Sequence, residues 1–171
     1  MSLLIINTLP ENDKEAVEAI RELSAVTDKV KVVNTAEMNI MHCTGCRACM
    51  FQTPGVCCLN DDYNKLFKLF FKYEDIVVIS GTSLNCLDYK TMRVFERRFP
   101  FAVILSDYRD GAVRHVLRYK KKTKIGILYK VSADQSILED WLNLYANFVD
   151  DIPLGCFRID CVEELCRCLL Q

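Results

Sequence analysis

Three short apolar runs, Leu3 to Asn7, Ile76 to Ser80 and Ile125 to Tyr129, each end in a turn and lead into a segment of helical periodicity. A run that is apolar at successive positions, rather than at alternate ones, marks a strand covered on both faces. Two weaker strands join them: Val30 to Val33, with Lys29 and Lys31 turned to solvent, and the short run Cys156 to Ile159. Five strands alternating with helices require right-handed crossovers, and hence a mainly parallel sheet with helices on both sides. The expected architecture is therefore α/β: a three-layer αβα sandwich around a doubly wound, five-stranded parallel sheet.

The helices carry their own signals. Asn12 or Asp13 can cap the first, with Glu15 in support and Val17, Ile20 and Leu23–Ser24 on its inner side. Asn60 or Asp61 can cap another, burying Tyr63, Leu66, Phe67 and Phe70 and leaving Lys65, Lys68 and Lys72 in solvent. Leu87 to Arg98 has a helical pattern with Tyr89, Met92 and Phe95 near one face. Ser132-x-x-Gln135 reads as a capping box before the stripe Ile137, Leu138, Trp141, Tyr145 and Phe148, with Trp141 in the core. Asp160 with Glu163 starts a terminal helix whose Cys161, Cys166 and Cys168 read as small core residues. Phe99 to Ser106 reads either as an extra strand or as a packed excursion.

Composition narrows the function classes. With 51% hydrophobic and 26% charged residues, the 171 positions read as one soluble domain, 1–171, with a cysteine-rich loop at 42–60. A formal net charge of −1 gives no overall attraction to nucleic acid. The basic segment Arg114, Arg118, Lys120, Lys121, Lys122 and Lys124 lacks interleaved aromatic residues and reads as a solvated loop. No apolar run approaches the ~20 residues that cross a bilayer, so no membrane partner is expected. The N-terminus does not read as a signal peptide, and ten cysteines without an export signal predict a reducing, cytoplasmic setting. His115 has no evident partner, and no hydrolase nucleophile motif is present.

The chemistry concentrates in His42 to Asp62. Cys43, Cys46 and Cys49 are spaced Cys-x2-Cys-x2-Cys, and Cys57 and Cys58 follow a Pro54–Gly55 turn. Gly45 and Ala48 leave room for tight turns, so three thiols can converge and a fourth can return to them. Four thiolates suit a 4Fe-4S cluster or, alternatively, zinc; a third reading is reduced, partly buried thiols with no ion. His42 is an extra ligand or a surface residue.

This stretch resembles the iron–sulfur flavoproteins and the wider NAD(P)H-dependent FMN reductase family. The shared pattern is the three-cysteine run, a short gap, Gly-x-Cys (Gly55, Cys57), three residues and a pair of acids (Asp61, Asp62). The Glu96-Arg97 helix ending is similar to the family's Asp-Arg. The resemblance implies a flavodoxin-like fold with strand order 2-1-3-4-5, FMN as cofactor and metal ligands Cys43, Cys46, Cys49 and Cys57, with any cluster near the flavin. It implies an FMN-dependent oxidoreductase passing electrons from a nicotinamide nucleotide or a redox protein partner, assembled as a homodimer or homotetramer. FMN would be held by Thr8, Leu9 and Asn12 after the first strand and by Gly81, Thr82, Ser83, Leu84 and Asn85 after the third. Residue chemistry keeps a rival open. Pro10 removes a donor from the first loop, and Glu11 and Asp13 repel a phosphate. The rival is a flavodoxin-fold module without FMN that keeps a metal-binding or interaction role, in which Gly81–Asn85 is a plain strand-to-helix connection.

Overall fold

The computed structural model describes residues 1–109, 111–131 and 133–171. The first half of the chain forms β1 (Leu3–Asn7), α1 (Lys14–Ser24), β2 (Val30–Asn34), the short α2 (Ala48–Phe51) and α3 (Tyr63–Leu69). Next come β3 (Asp75–Ser83), the two-residue β4 (Cys86–Leu87), α4 (Tyr89–Glu96), β5 (Ala102–Arg109) and β6 (Ala112–Leu117). The chain closes with β7 (Lys124–Lys130), α5 (Gln135–Val149), β8 (Ile152–Arg158) and α6 (Val162–Leu169). The strands β2-β1-β3-β7-β8 run parallel in that order, the 2-1-3-4-5 arrangement expected; β4 turns back antiparallel on β3.

Two-sided burial makes this sheet. Leu4, Ile6, Ile76, Val78, Ile125 and Ile127 face one core, shared with α3, α4 and α5. Their neighbours Leu3, Ile5, Val77, Ile79 and Leu128 face the other, shared with α1 and α6. Each fully buried aliphatic side chain contributes about 1.5–3 kcal/mol before the ordering cost. Gly126 of β7 lets α6 approach closely, since a Cβ there would lie 2.6 Å from a Leu165 methyl.

Several elements differ from the sequence reading. The inner side of α1 is Ala16, Ala19 and Leu23, and Val17 is exposed; small alanines allow the helix to sit close to the strands. Asp134 caps α5 by accepting from the Ser136 N–H, while Ser132 lies outside the described residues. Trp141 is half-buried, stacked on Tyr145 and edge-on to Phe95. The last strand starts four residues early, at Ile152, because an edge position tolerates Pro153. Phe99–Phe101 is a single 3-10 turn leading into the hairpin β5–β6. The basic segment is tied down: Lys121 Nζ donates to the Phe70 and Tyr73 carbonyls, and Lys122 pairs with Asp150 at 3.4 Å. No helix among the described residues is long and apolar enough to cross a membrane.

A buried ion pair joins the α4 end to the turn before β8. Arg98 Nη1 donates to Asp151 Oδ2 at 2.7 Å, both side chains being within 2% of full burial, and Phe70 and Phe101 cover the guanidinium. Breaking such a pair from one side strands a charge, which costs about 3–5 kcal/mol. Asp151→Asn should therefore lower the unfolding free energy in urea by that amount. A loss under about 1 kcal/mol, typical of an exposed pair, would show that the charges are hydrated in solution.

Candidate functional site

Two places carry chemistry, at opposite ends of the α4 layer. The first is the carboxyl edge of the sheet, where β1, β3 and β7 end side by side. Thr8 is buried and its hydroxyl is consumed, bonding the Ile79 carbonyl at 3.0 Å and Thr91 Oγ1 at 2.7 Å. The Leu9 N–H donates to Asn7 Oδ1, and Asn12 is exposed. Asp13 occupies the start of α1: Oδ1 accepts from the Ala16 N–H at 3.1 Å and Oδ2 from Lys130 Nζ at 2.7 Å. Lys130 also pairs with Glu15 at 3.2 Å, and Glu11 accepts from the Asn34 side-chain amide. Burial pushes the Asp13 carboxyl up, but Lys130 and the Ala16 N–H outweigh it and hold the group below the usual range.

The donor set, a helix N-terminus plus a lysine, is right for an anion such as an FMN phosphate, and an anion is already there: the Asp13 carboxylate stands in for it. Lys130 escaped the sequence reading, although a lysine at the end of the fourth sheet strand was its only signal.

Gly81–Asn85 is neither an open loop nor a plain connection. β3 continues to Ser83 and turns through Leu84 and Asn85, both with positive φ (51° and 59°), into β4. Two successive left-handed residues give the tight turn that suits a hairpin. Leu84 is 96% exposed at its tip. Thr82 Oγ1 donates to the Lys130 carbonyl, and Asn85 Oδ1 accepts from the Asp134 N–H, so the hairpin is pinned to the segment after β7.

The second place is the cysteine loop. Arg97, 1% exposed, donates from Nη1 to Asp61 Oδ2 at 2.6 Å and to the Met41 carbonyl at 2.7 Å, and from Nη2 to Asp61 Oδ1 at 3.1 Å. Asp61 also accepts from the Met41 and Tyr63 N–H groups, so it clamps the loop as well as starting α3. Glu96 accepts from the Cys43 N–H at 2.7 Å. The acid pair and the Glu96-Arg97 ending, visible separately in sequence, are thus partners. Gly55 (φ +83°) passes against β6's end, where a Cβ would meet Tyr119 Oη at 2.8 Å.

The five loop thiols line one pocket of about 390 Å³ with Arg47, Arg97, His115, Phe99 and Phe148. Cys46 and Cys58 are exposed, with sulfurs 3.7 Å apart; Cys49 is buried. The Ala48 N–H, the Thr44 hydroxyl and the Cys58 thiol hold Cys46 below the usual thiol range. Burial, reinforced by Cys57, Cys43 and Cys46, pushes Cys49 up to about 11.

These thiols do not fit the expected centre. Among the described residues no group of three or more Cys, His, Asp or Glu side chains is placed to hold a metal ion. Cys43, Cys46, Cys49 and Cys57 share a pocket, but the sulfur–sulfur contact within the loop joins Cys46 to Cys58, outside the expected four. The pocket is also remote from the carboxyl edge: it meets the far end of α4, whose eight residues span about 12 Å. His42 is exposed beside the loop.

No family model and no curated protein matches this chain. Solved structures do. A flavone reductase superposes with a TM-score of 0.61 at 13% identity over 98% of this chain, which spans only 60% of that protein's length. The NAD(P)H:quinone oxidoreductase from Methanothermobacter marburgensis gives 0.62 at 12% identity, covering 98% of this chain and 95% of that one. An FMN-dependent NADH-azoreductase from Bacillus anthracis, solved with FMN, gives 0.54 at 11%, covering 98% and 93%.

The Asp61–Arg97 clamp predicts an acid limb. Burial raises the Asp61 carboxyl, but Arg97 and the Met41 and Tyr63 N–H groups outweigh it, leaving it below the usual range. A carboxyl depressed on folding stabilises fully above its unfolded value, near pH 4, and loses that contribution as pH falls through its folded value. Asp61→Asn should flatten the stability profile below about pH 4 and cost about 3–5 kcal/mol at neutral pH. An unchanged acid limb in urea melts across that range would contradict the clamp. At 11–13% identity the likeness is one of fold, and the chain has the flavodoxin-like fold of these reductases.

Proposed function

We propose that the chain is an FMN-dependent oxidoreductase of the NAD(P)H-dependent FMN reductase type. The observation that carries this reading is the anion seat at the carboxyl edge, formed by the start of α1 and Lys130 and held by Asp13. In open α/β sheets ligands bind at that edge, beside strands whose neighbours diverge, as β1 and β3 do here. The fold is that of several reductases, one of them solved with FMN, and of RosB, solved with a bound flavin-phosphate intermediate.

In this reading Lys130 and the N–H groups at the start of α1 would hold the FMN phosphate where the Asp13 carboxylate now accepts their bonds. The Thr82–Asn85 hairpin is fixed by its bonds to the Lys130 carbonyl and the Asp134 N–H, and its residues would hold the flavin beside the seat. Bound flavin supplies one- and two-electron chemistry, with a nicotinamide nucleotide or a redox protein as donor. The protein's part is to place the flavin and set the charge around it. Glu11 and Glu15 add negative charge at the seat, which favours weak, exchangeable binding. A homodimer or homotetramer in a reducing cytoplasm belongs to the same proposal, with all ten cysteines as thiols. No electron path is assigned to the cysteine loop.

Fluorescence titration of FMN tests the seat. Asp13→Asn keeps a good helix cap and removes one repelling charge, an effect of roughly 1 kcal/mol that should tighten FMN about fivefold. Glu11→Gln should tighten it further in the same direction. Failure of the wild type and of both variants to bind FMN would exclude the reading.

A further inference from the structure

We propose that Cys46 and Cys58 form a two-cysteine redox site that reduces low-molecular-weight disulfides carrying carboxylates. This inference is independent of the flavin reading, since the pocket lies at the other end of α4. Its first ground is geometry. The two sulfurs touch at 3.7 Å, both side chains are exposed, and twelve residues separate them. A disulfide needs about 2.05 Å, so closure asks for a shift of less than 2 Å. The chain can supply it, because Cys58 lies in the irregular stretch between α2 and α3, and Cys46 stands between two left-handed residues, Gly45 and Arg47.

The second ground is the pocket beside the pair. Phe99, Pro100 and Phe148 give it an apolar wall suited to the carbon skeleton of a small molecule. Arg47 stands exposed on its rim. Arg97, almost fully buried, also lines it, and its Nε has no hydrogen-bond partner. The positive charge of Arg47 on the rim and of Arg97 beneath it favours an anionic ligand group. Cys46 is exposed and adjoins Arg47, whose cation on the pocket rim favours a thiolate there, which makes Cys46 the attacking sulfur.

The chemistry closes without a further oxidant. The Cys46 thiolate attacks one sulfur of the substrate R–S–S–R, forming Cys46–S–S–R as the substrate S–S bond breaks and RS⁻ leaves. Cys58, losing its proton, then attacks the Cys46 sulfur, forming Cys46–Cys58 and expelling the second RS⁻. The substrate gains two electrons, the protein dithiol loses two, and the two thiol protons pass to the released thiolates. One equivalent of a dithiol, or two of a monothiol, from the surroundings restores the reduced pair.

The test treats the reduced full-length chain with glutathione disulfide under anaerobic conditions, quenches with iodoacetamide and maps peptides by mass. In wild type the expected product is a Cys46–Cys58 link that dithiothreitol reverses, with two glutathiones released per chain. Cys58→Ser should instead trap one glutathione on Cys46, at least about tenfold faster than on the exposed Cys86. Cys46→Ser should give neither product. A wild-type link between any other pair or between chains would overturn the proposal. So would Cys46 reacting no faster than Cys86. The wild-type map decides even if a variant fails to fold.

Discussion

The structure rests on the burial of β1, β3 and β7 from both sides. Once Leu3 to Ile6, Ile76 to Ile79 and Ile125 to Leu128 are dry on both faces, their backbone groups must be satisfied by neighbouring strands. Parallel pairing then forces every connection to cross over as a helix or a long loop. Functional groups are left with the two ends of the sheet and the outer layer. The carboxyl edge gathers Asp13, Lys130 and the Leu84–Asn85 turn. The long connection after β2 has to cross the α4 face, and Arg97 fixes where it comes to rest.

That second anchoring explains why the cysteines are grouped without forming a centre. Asp61 and Glu96 hold the loop by its entry, at Met41 and Cys43, and by its exit, at Tyr63. Between these points the backbone is shaped by its own turns and by Gly55 packed under Tyr119. The thiols are carried into one pocket in different settings, one buried and two exposed in contact. Such unequal settings suit thiol exchange, which needs an attacking and a resolving sulfur.

Most of the scaffold was legible in the sequence because its signals are local. Continuous apolar runs marked the three central strands, Asp13 was a visible cap, and the alternation of elements implied a parallel sheet, while its strand order came only with the family resemblance. The helix face was less legible: counting bulk favoured Val17, whereas close approach to the sheet selected Ala16 and Ala19. The Leu84–Asn85 hairpin was hidden because leucine is not a residue that announces a left-handed turn. The site was read least well, since its contacts are long-range. Nothing local joins Lys130 to Asp13, Arg97 to Asp61 or Cys46 to Cys58. The Cys-x2-Cys-x2-Cys spacing suggested convergence, but spacing fixes reach and not the direction in which each thiol points.

As proposed, the redox chemistry divides between a flavin seat at the carboxyl edge and free thiols at the far end of α4. The most direct measurement is the visible spectrum, with iron and sulfide content per chain, after anaerobic incubation with FMN, iron and sulfide and removal of the excess. The account predicts flavin bands alone and negligible iron and sulfide. A broad cluster shoulder with stoichiometric iron and sulfide, abolished by Cys43→Ser, would contradict it.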